Sequence, residues 1–302
     1  MHTQTRATLL GITAVLLWST VASAFKLSLS VMDVPQLLFY AGLAAFVVLG
    51  ATLAFTRRFA LVLAATRRDW CASLGLGLMN PLAYYVILFH AYDLLPAQVA
   101  QPLNYTWAIV LALLSIPLLK QRLALTDIIG AAVSYFGVVV IATRGSFSAL
   151  GVDSPLGVGL ALASTVVWAL YWIGNTRDRR DPVVTLFMNV TLSLPFLLVY
   201  CVVFSSLRLA GLHALGGAVY VGAVEMGLTA MLWLRALRLS DNASRIGNLV
   251  FLSPFLSLLI IRALVGEEIL PATVVGLVFV VAGLIVQQLG ARRTRAPEGA
   301  AA

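Results

Sequence analysis

Long apolar runs separated by short charged clusters organise this chain. Ten runs are candidates for membrane-crossing helices, at about 7–29, 34–55, 70–92, 95–119, 126–143, 155–175, 182–205, 214–236, 241–263 and 269–290. A helix needs about 20 apolar residues to traverse the hydrocarbon core. The runs show no period-two alternation, and a backbone in lipid must satisfy its own hydrogen bonds, so helices are predicted rather than strands. Pro35 and Pro182 stand at run starts, where a missing N–H is harmless. The first run, with Arg6 before it and Ala22-Ser23-Ala24 within it, also has the outline of a cleavable signal peptide. It has a partner in the repeat described below, which argues for a retained helix.

Composition agrees. Of 302 residues, 61% are hydrophobic and 11% charged, whereas a soluble domain carries about 25% charged residues. The expected fold is an all-α polytopic membrane protein. The net charge of +8 reads as topology, not nucleic-acid binding, because the arginines fall between apolar runs. Arg57, Arg58, Arg67, Arg68, Arg177, Arg179 and Arg180 lie on one side of a ten-span arrangement, with the amino-terminal Arg6 and the carboxyl-terminal arginines. The opposite side holds only Lys26, Arg144, Arg208 and Arg262. This bias predicts that both termini are cytoplasmic. Cys71 and Cys201 have no metal-ligand or disulfide spacing. No cofactor or metal is expected.

The chain repeats itself weakly. At an offset of 146, Gly130 meets Gly276 and Gly137 meets Gly283; at 145, Asn80 meets Glu225. Trp18 pairs with Trp168, and Pro35 with Pro182, at slightly larger offsets. Five spans per repeat is odd, so the second must cross the membrane upside down. Two inverted five-helix repeats are predicted, 1–146 and 147–291, followed by a disordered cytoplasmic tail, 292–302. Such repeats are a transporter architecture with the substrate between them near the midplane.

Several motifs carry a resemblance. Ala236-Leu237, Ala243-Ser244, Pro254, Gly266-Glu267 and the Gly276/Gly283 helix resemble the EamA-type members of the drug/metabolite transporter superfamily. The first half departs, with Gln121-Arg122 where that family often has an acidic pair. The stretch "MNPLAYYVILFHAYDLLPAQVAQPLNYTWAI" is most similar to the YddG-type amino-acid exporters. The resemblance implies ten spans and export of aromatic or other neutral amino acids across a bacterial inner membrane.

Candidate contacts come from polar and aromatic residues deep in the runs. Pro81, Pro102 and Pro254 each strand a carbonyl four residues back and are expected hinges. Near the first two prolines, Asn80 and Tyr84, four apart, are expected to share one helix face, and Gln101, Asn104 and Tyr105 another. Asn248 is a weaker candidate in the second half. A deep amide must find a partner, which is either a substrate or a neighbouring helix. Trp18, Trp168 and Tyr171 could flank an apolar side chain, or simply pack. Trp70, Trp172 and Trp233 read as interfacial anchors. Glu225 is the one acid deep inside a run, with Thr229 a turn later. An intramembrane carboxylate is a functional candidate by default: it binds a substrate ammonium or exchanges a proton, or else bonds a neighbouring helix.

The expected function is a secondary transporter or facilitator for small amphiphilic metabolites, best aromatic or neutral amino acids, working by alternating access. A multidrug or other metabolite exporter, proton-coupled through Glu225, is the alternative. An enzyme is not expected, since no zinc-protease or nucleophile-elbow motif occurs. The expected partners are a small-molecule substrate and the lipid bilayer, with no nucleic acid, and the expected state is a monomer.

Overall fold

A computed structural model describes residues 3–107, 125–145, 154–208, 211–239 and 253–295, with positions 109, 110, 113, 114, 118 and 249. All regular structure among them is helical. Helix α1 covers Thr3–Leu29, α2 Val34–Phe55, α3 Phe59–Leu63 and α4 Arg67–Gly77. A π-helical segment, Leu78–Ala83, joins α4 to α5, Tyr84–Leu94. Then follow α6 Ala97–Tyr105, α7 Leu125–Ala142, α8 Pro155–Arg177 and α9 Pro182–Phe204. Helix α10, Leu212–Tyr220, runs through a second π-helical segment, Val221–Thr229, into α11, Ala230–Leu239. Helix α12 is Ser253–Leu264 and α13 is Pro271–Arg295.

Among the described residues, six helical stretches are long and apolar enough to cross a membrane: Thr5–Leu29, Val34–Phe55, Arg67–Leu94, Pro155–Asn175, Pro182–Phe204 and Leu212–Trp233. Shorter apolar helices cover Ile128–Ile141, Ser253–Leu264 and Pro271–Val286. The predicted fourth run is helical over α6; much of its remainder, and the start of the ninth, lie outside the described residues.

Local chemistry sets where these helices begin. Asp33 accepts from the Gln36 backbone N–H while the Gln36 side chain returns to the Asp33 N–H, with Pro35 in the first turn of α2. Thr66 and Asp69 make the same reciprocal box at α4, satisfying N–H groups that a helix start leaves bare. Ser154 caps α8 ahead of Pro155, and Asp181 caps α9 ahead of Pro182. Each cap is polar and stands at the start of a helical stretch long and apolar enough to cross a membrane.

Glycines set the closest helix contacts. A Cβ on Gly137 would lie 2.4 Å from the Gly276 carbonyl oxygen, and one on Gly276 would lie 2.6 Å from that of Gly137. A Cβ on Gly283 would meet the Gly130 carbonyl oxygen at 2.3 Å. Between these contacts, Ser134 Oγ donates to the Val280 carbonyl at 2.9 Å. Helices α7 and α13 therefore pack backbone to backbone, as small residues allow in membranes. Two further glycines do the same elsewhere: a Cβ on Gly77 would sit 2.3 Å from the Asn189 carbonyl, and one on Gly222 would sit 2.0 Å from that of Ala41.

Ion pairs gather at the helix ends. Arg58 pairs with Asp181 at 2.7 Å, and Arg180 with Asp178 at 2.5 Å. Arg180 also donates to the Asp69 carbonyl. Burial alone would push the Asp178 carboxyl up. Its bonds to Arg180, that residue's charge and a bond from Thr185 outweigh burial and hold it below the ordinary carboxylate range.

Candidate functional site

Both π-helical segments lie mid-span, and each holds predicted polar residues: Asn80 in the first, Glu225 and Thr229 in the second. Asn80 lies in the first, with non-helical φ −150° and ψ 118°, and the Asn80–Pro81 peptide bond is cis. The predicted shared face of Asn80 and Tyr84 assumed a regular helix, and the structure replaces it with a break at Asn80. Glu225 lies in the second. The first is a kink with a non-helical residue inside it and the second a nine-residue π-helical stretch; interrupted membrane helices point to binding sites.

Glu225 has a partner that sequence reading missed. Tyr85 Oη donates to Glu225 Oε1 at 3.1 Å, and the Trp18 side chain lies beside the same carboxylate. Oε2 is closed from solvent and has no hydrogen-bond partner among the described residues; the same holds for Thr229 Oγ1 and Gln101 Oε1. Tyr85 follows Tyr84 directly in an apolar run, so only the turn geometry of α5 reveals which tyrosine faces the acid.

An aromatic stack adjoins this pair. Trp168 lies nearly parallel to Tyr84, centroids 4.5 Å apart and planes at 26°, and stacks on Tyr171 at 5.6 Å and 23°. Trp107 meets Trp168 edge-on at 6.5 Å, and Tyr84 meets Tyr85 edge-on at 4.8 Å. Tyr84 Oη donates to Asn104 Oδ1 at 3.3 Å, and Asn104 Nδ2 donates to Ser164 Oγ at 2.9 Å. This amide is therefore spent partly on a helix-to-helix bond. The Tyr171 ring sits among Asn80, Asn175 and Asn189. Asn189, on α9, is another residue the sequence did not single out. It is 1% exposed, and neither amide atom has a partner with hydrogen-bond geometry among the described residues.

Trp18 stands apart from Trp168 and packs on Trp233, centroids 5.0 Å apart. Trp233 is thus a buried packing residue, 9% exposed, and not the interfacial anchor expected; the facing indole of α1 gives it a partner inside the protein. Beside Trp18, Ser19 Oγ donates to Ser253 Oγ at 3.2 Å, and Tyr105 also interacts with Ser253. Trp18, Asn80, Asn104, Tyr105, Trp168 and Glu225 all retain partial exposure at mid-span.

The hinge prolines divide. Pro81 sits in the first π segment, and Pro102 lies inside α6, which ends three residues later. Pro254 is the second residue of α12, so the break it was expected to cause falls on a stretch outside the described residues. Asn248 is outside them as well. Pro195, inside α9, is a further mid-span proline that the sequence reading passed over.

A family model described as the EamA-like transporter family matches residues 5–143 and again 155–287. The chain is 32% identical over 179 residues to the aromatic amino acid exporter YddG of Ancylobacter novellus, covering 58% of this chain and 60% of that protein. It is 24% identical over 170 residues to the uncharacterized inner membrane transporter YhbE of Escherichia coli, covering 55% and 53%. These matches span little more than half the length of the curated relatives. A solved crystal structure is similar over 96% of this chain and 98% of its own, with a TM-score of 0.67 and 25% identity.

Proposed function

We propose, from the premise that this chain belongs to the EamA-like transporter family and is a multi-pass membrane transporter, that it exports small amphiphilic amines from the bacterial cytoplasm. Aromatic or other neutral amino acids are the best candidates. The family and the named relatives are transporters and not enzymes. The observation that carries the substrate reading is the Glu225–Tyr85 pair beside the Trp168 stack. Glu225 Oε2 is an acceptor with no partner among the described residues, and a substrate ammonium would supply a donor. Trp168, Tyr84 and Tyr171 form a stacked aromatic wall beside the pair, and such a wall suits an apolar or aromatic side chain. The 32% match to an aromatic amino acid exporter points the same way.

Ten spans arranged as two inverted halves are part of this reading, and several observations support it. The family model matches twice, once per half. Shifted by 145, the first π segment falls inside the second. Gly77 and Gly222 are mates at that same shift, and each backs onto a carbonyl of the helix that is the mate of the other's partner. The α7–α13 contact has the reciprocity of a two-fold axis: Gly130 meets Gly283, Gly276 meets Gly137, and Ser134 meets its own mate, Val280. With both termini cytoplasmic, such halves rock about a central site to expose it on alternate sides.

Purified protein in proteoliposomes, loaded with labelled amino acids and tested with and without a pH gradient, decides the substrate. Saturable flux of at least one neutral amino acid, lowered in Glu225→Gln, supports the reading. Drug flux without amino-acid flux would replace it with multidrug export.

A further inference from the structure

On the side opposite the arginine-rich loops, the turn between α5 and α6 is held from two directions. Lys26 Nζ, at the end of α1, donates to the carbonyls of Tyr92 at 2.7 Å and Leu95 at 3.1 Å. These belong to the end of α5, where helix carbonyls lack internal donors and a cation is favoured. Two residues later the charge is reversed. The Glu267 carboxylate accepts from the backbone N–H of Ala97 at 2.9 Å and of Gln98 at 3.1 Å, the bare donors that open α6. Gly266, with φ +78°, makes the left-handed turn that brings Glu267 there from the end of α12.

Gln98 completes the clamp. Its Nε2 donates to the Glu268 carbonyl at 2.5 Å, and its Oε1 accepts from Leu270 N at 3.0 Å and Thr273 Oγ1 at 3.2 Å. All three partners come from the other half of the chain, and Gln98 is only 5% exposed. Just below, Pro102 removes the N–H that would have bonded the Gln98 carbonyl, and α6 ends at Tyr105. The helix is therefore tied firmly at one end and weakened one turn further in.

The two ends of the molecule differ in charge here. At the offset of 146, the mates of Ala97, Gln98 and Glu267 are Ala243, Ser244 and Gln121. These lie outside the described residues; by sequence alone, the position that matches Glu267 in the first half carries an uncharged amide.

We propose that the Lys26–Glu267–Gln98 clamp is a fixed fulcrum, not a gate. The outer ends of α5, α6 and α13 stay joined through the whole transport cycle, and the last turn of α6, Leu103–Tyr105, swings about Pro102. This rests on the alternating-access reading above. It adds which contact is preserved and which end moves.

The test joins Gln98→Cys to Thr273→Cys with a short bifunctional thiol reagent, in a Cys71→Ser, Cys201→Ser background. Flux is compared before and after cross-linking. A fulcrum predicts flux within about twofold of the uncross-linked protein; a gate predicts loss of tenfold or more. Hydrogen exchange provides a readout that needs no substrate. The Ala97 and Gln98 amides should exchange slowly in wild type, with and without added amino acids, and quickly in Glu267→Gln. Fast exchange in wild type, or protection that switches with ligand, overturns the fulcrum. Absence of amino-acid flux in the parent protein, with those amides protected, would instead refute the substrate reading and leave the fulcrum standing.

Discussion

Gly77 and Gly222 allow a prediction whose size follows from the packing. Alanine at Gly222 would put its Cβ 2.0 Å from the Ala41 carbonyl oxygen and 2.7 Å from the carbonyl carbon; at Gly77 it would be 2.3 Å from the Asn189 oxygen and 3.1 Å from its carbon. Nonbonded contacts settle near 3.5 Å, so each pair of helices must separate by roughly 1 Å or more. The obstacles are main-chain atoms, which cannot swing aside as a side chain can. Overpacking of this kind costs about 1–3 kcal/mol, and both sites should lie at or above the upper end. Gly75 and Gly216 provide controls in the same helical stretches, because a Cβ there meets nothing within 4 Å. Alanine at those sites should be neutral, or stabilising by about 0.5–1 kcal/mol through helix propensity. The assay is thermal unfolding of purified protein followed by intrinsic fluorescence. Gly77→Ala and Gly222→Ala should fall well below wild type and by similar amounts, as mates should, while Gly75→Ala and Gly216→Ala should not fall. Equal melting of all four variants would refute the packing argument.

Other predictions concern the site and the arginine-rich helix ends. Tyr85→Phe leaves the ring but removes the donor to Glu225; it should lower flux about tenfold, equivalent to roughly 1.4 kcal/mol, with little effect on melting. Trp168→Ala should raise the half-saturating concentration for aromatic amino acids more than for small neutral ones, as measured by competition in proteoliposomes. Asp178 has its carboxyl held below the ordinary range in the folded protein, so its contribution to stability is complete above the unfolded value, near 4, and disappears as pH falls through the folded one. Asp178→Asn should therefore narrow its gap to wild type in melting scans taken below about pH 4.

Much of the architecture was legible because membrane insertion writes it into composition. A helix that must face lipid cannot carry charge, so run lengths and arginine clusters delimit the spans. The glycine faces of α7 and α13 were legible for a related reason, since only small residues let backbones touch. The site was legible in its members but not in their pairings. Glu225 was singled out as an acid in lipid, but its partner depended on which of two adjacent tyrosines faced it. Trp18 and Trp168, mates in sequence, belong to different clusters because Trp233 has no aromatic counterpart at the corresponding place in the first half. Asn189 went unnoticed because one asparagine near the start of an apolar run resembles a boundary residue; its importance lies in the Tyr171 ring that crosses to it from α8. The π segments left no mark in hydropathy, which is blind to one extra residue per turn.

The account depends most on the two halves being oppositely oriented, and impermeant thiol labelling in intact cells tests that directly. In a background of Cys71→Ser and Cys201→Ser, single cysteines replace Arg57, after α2, and Ser206, after its mate α9. The account predicts that the cysteine at 206 labels from outside, whereas the one at 57 labels only after the membrane is permeabilised. Labelling of both from the same face would contradict the inverted repeat and the central site derived from it.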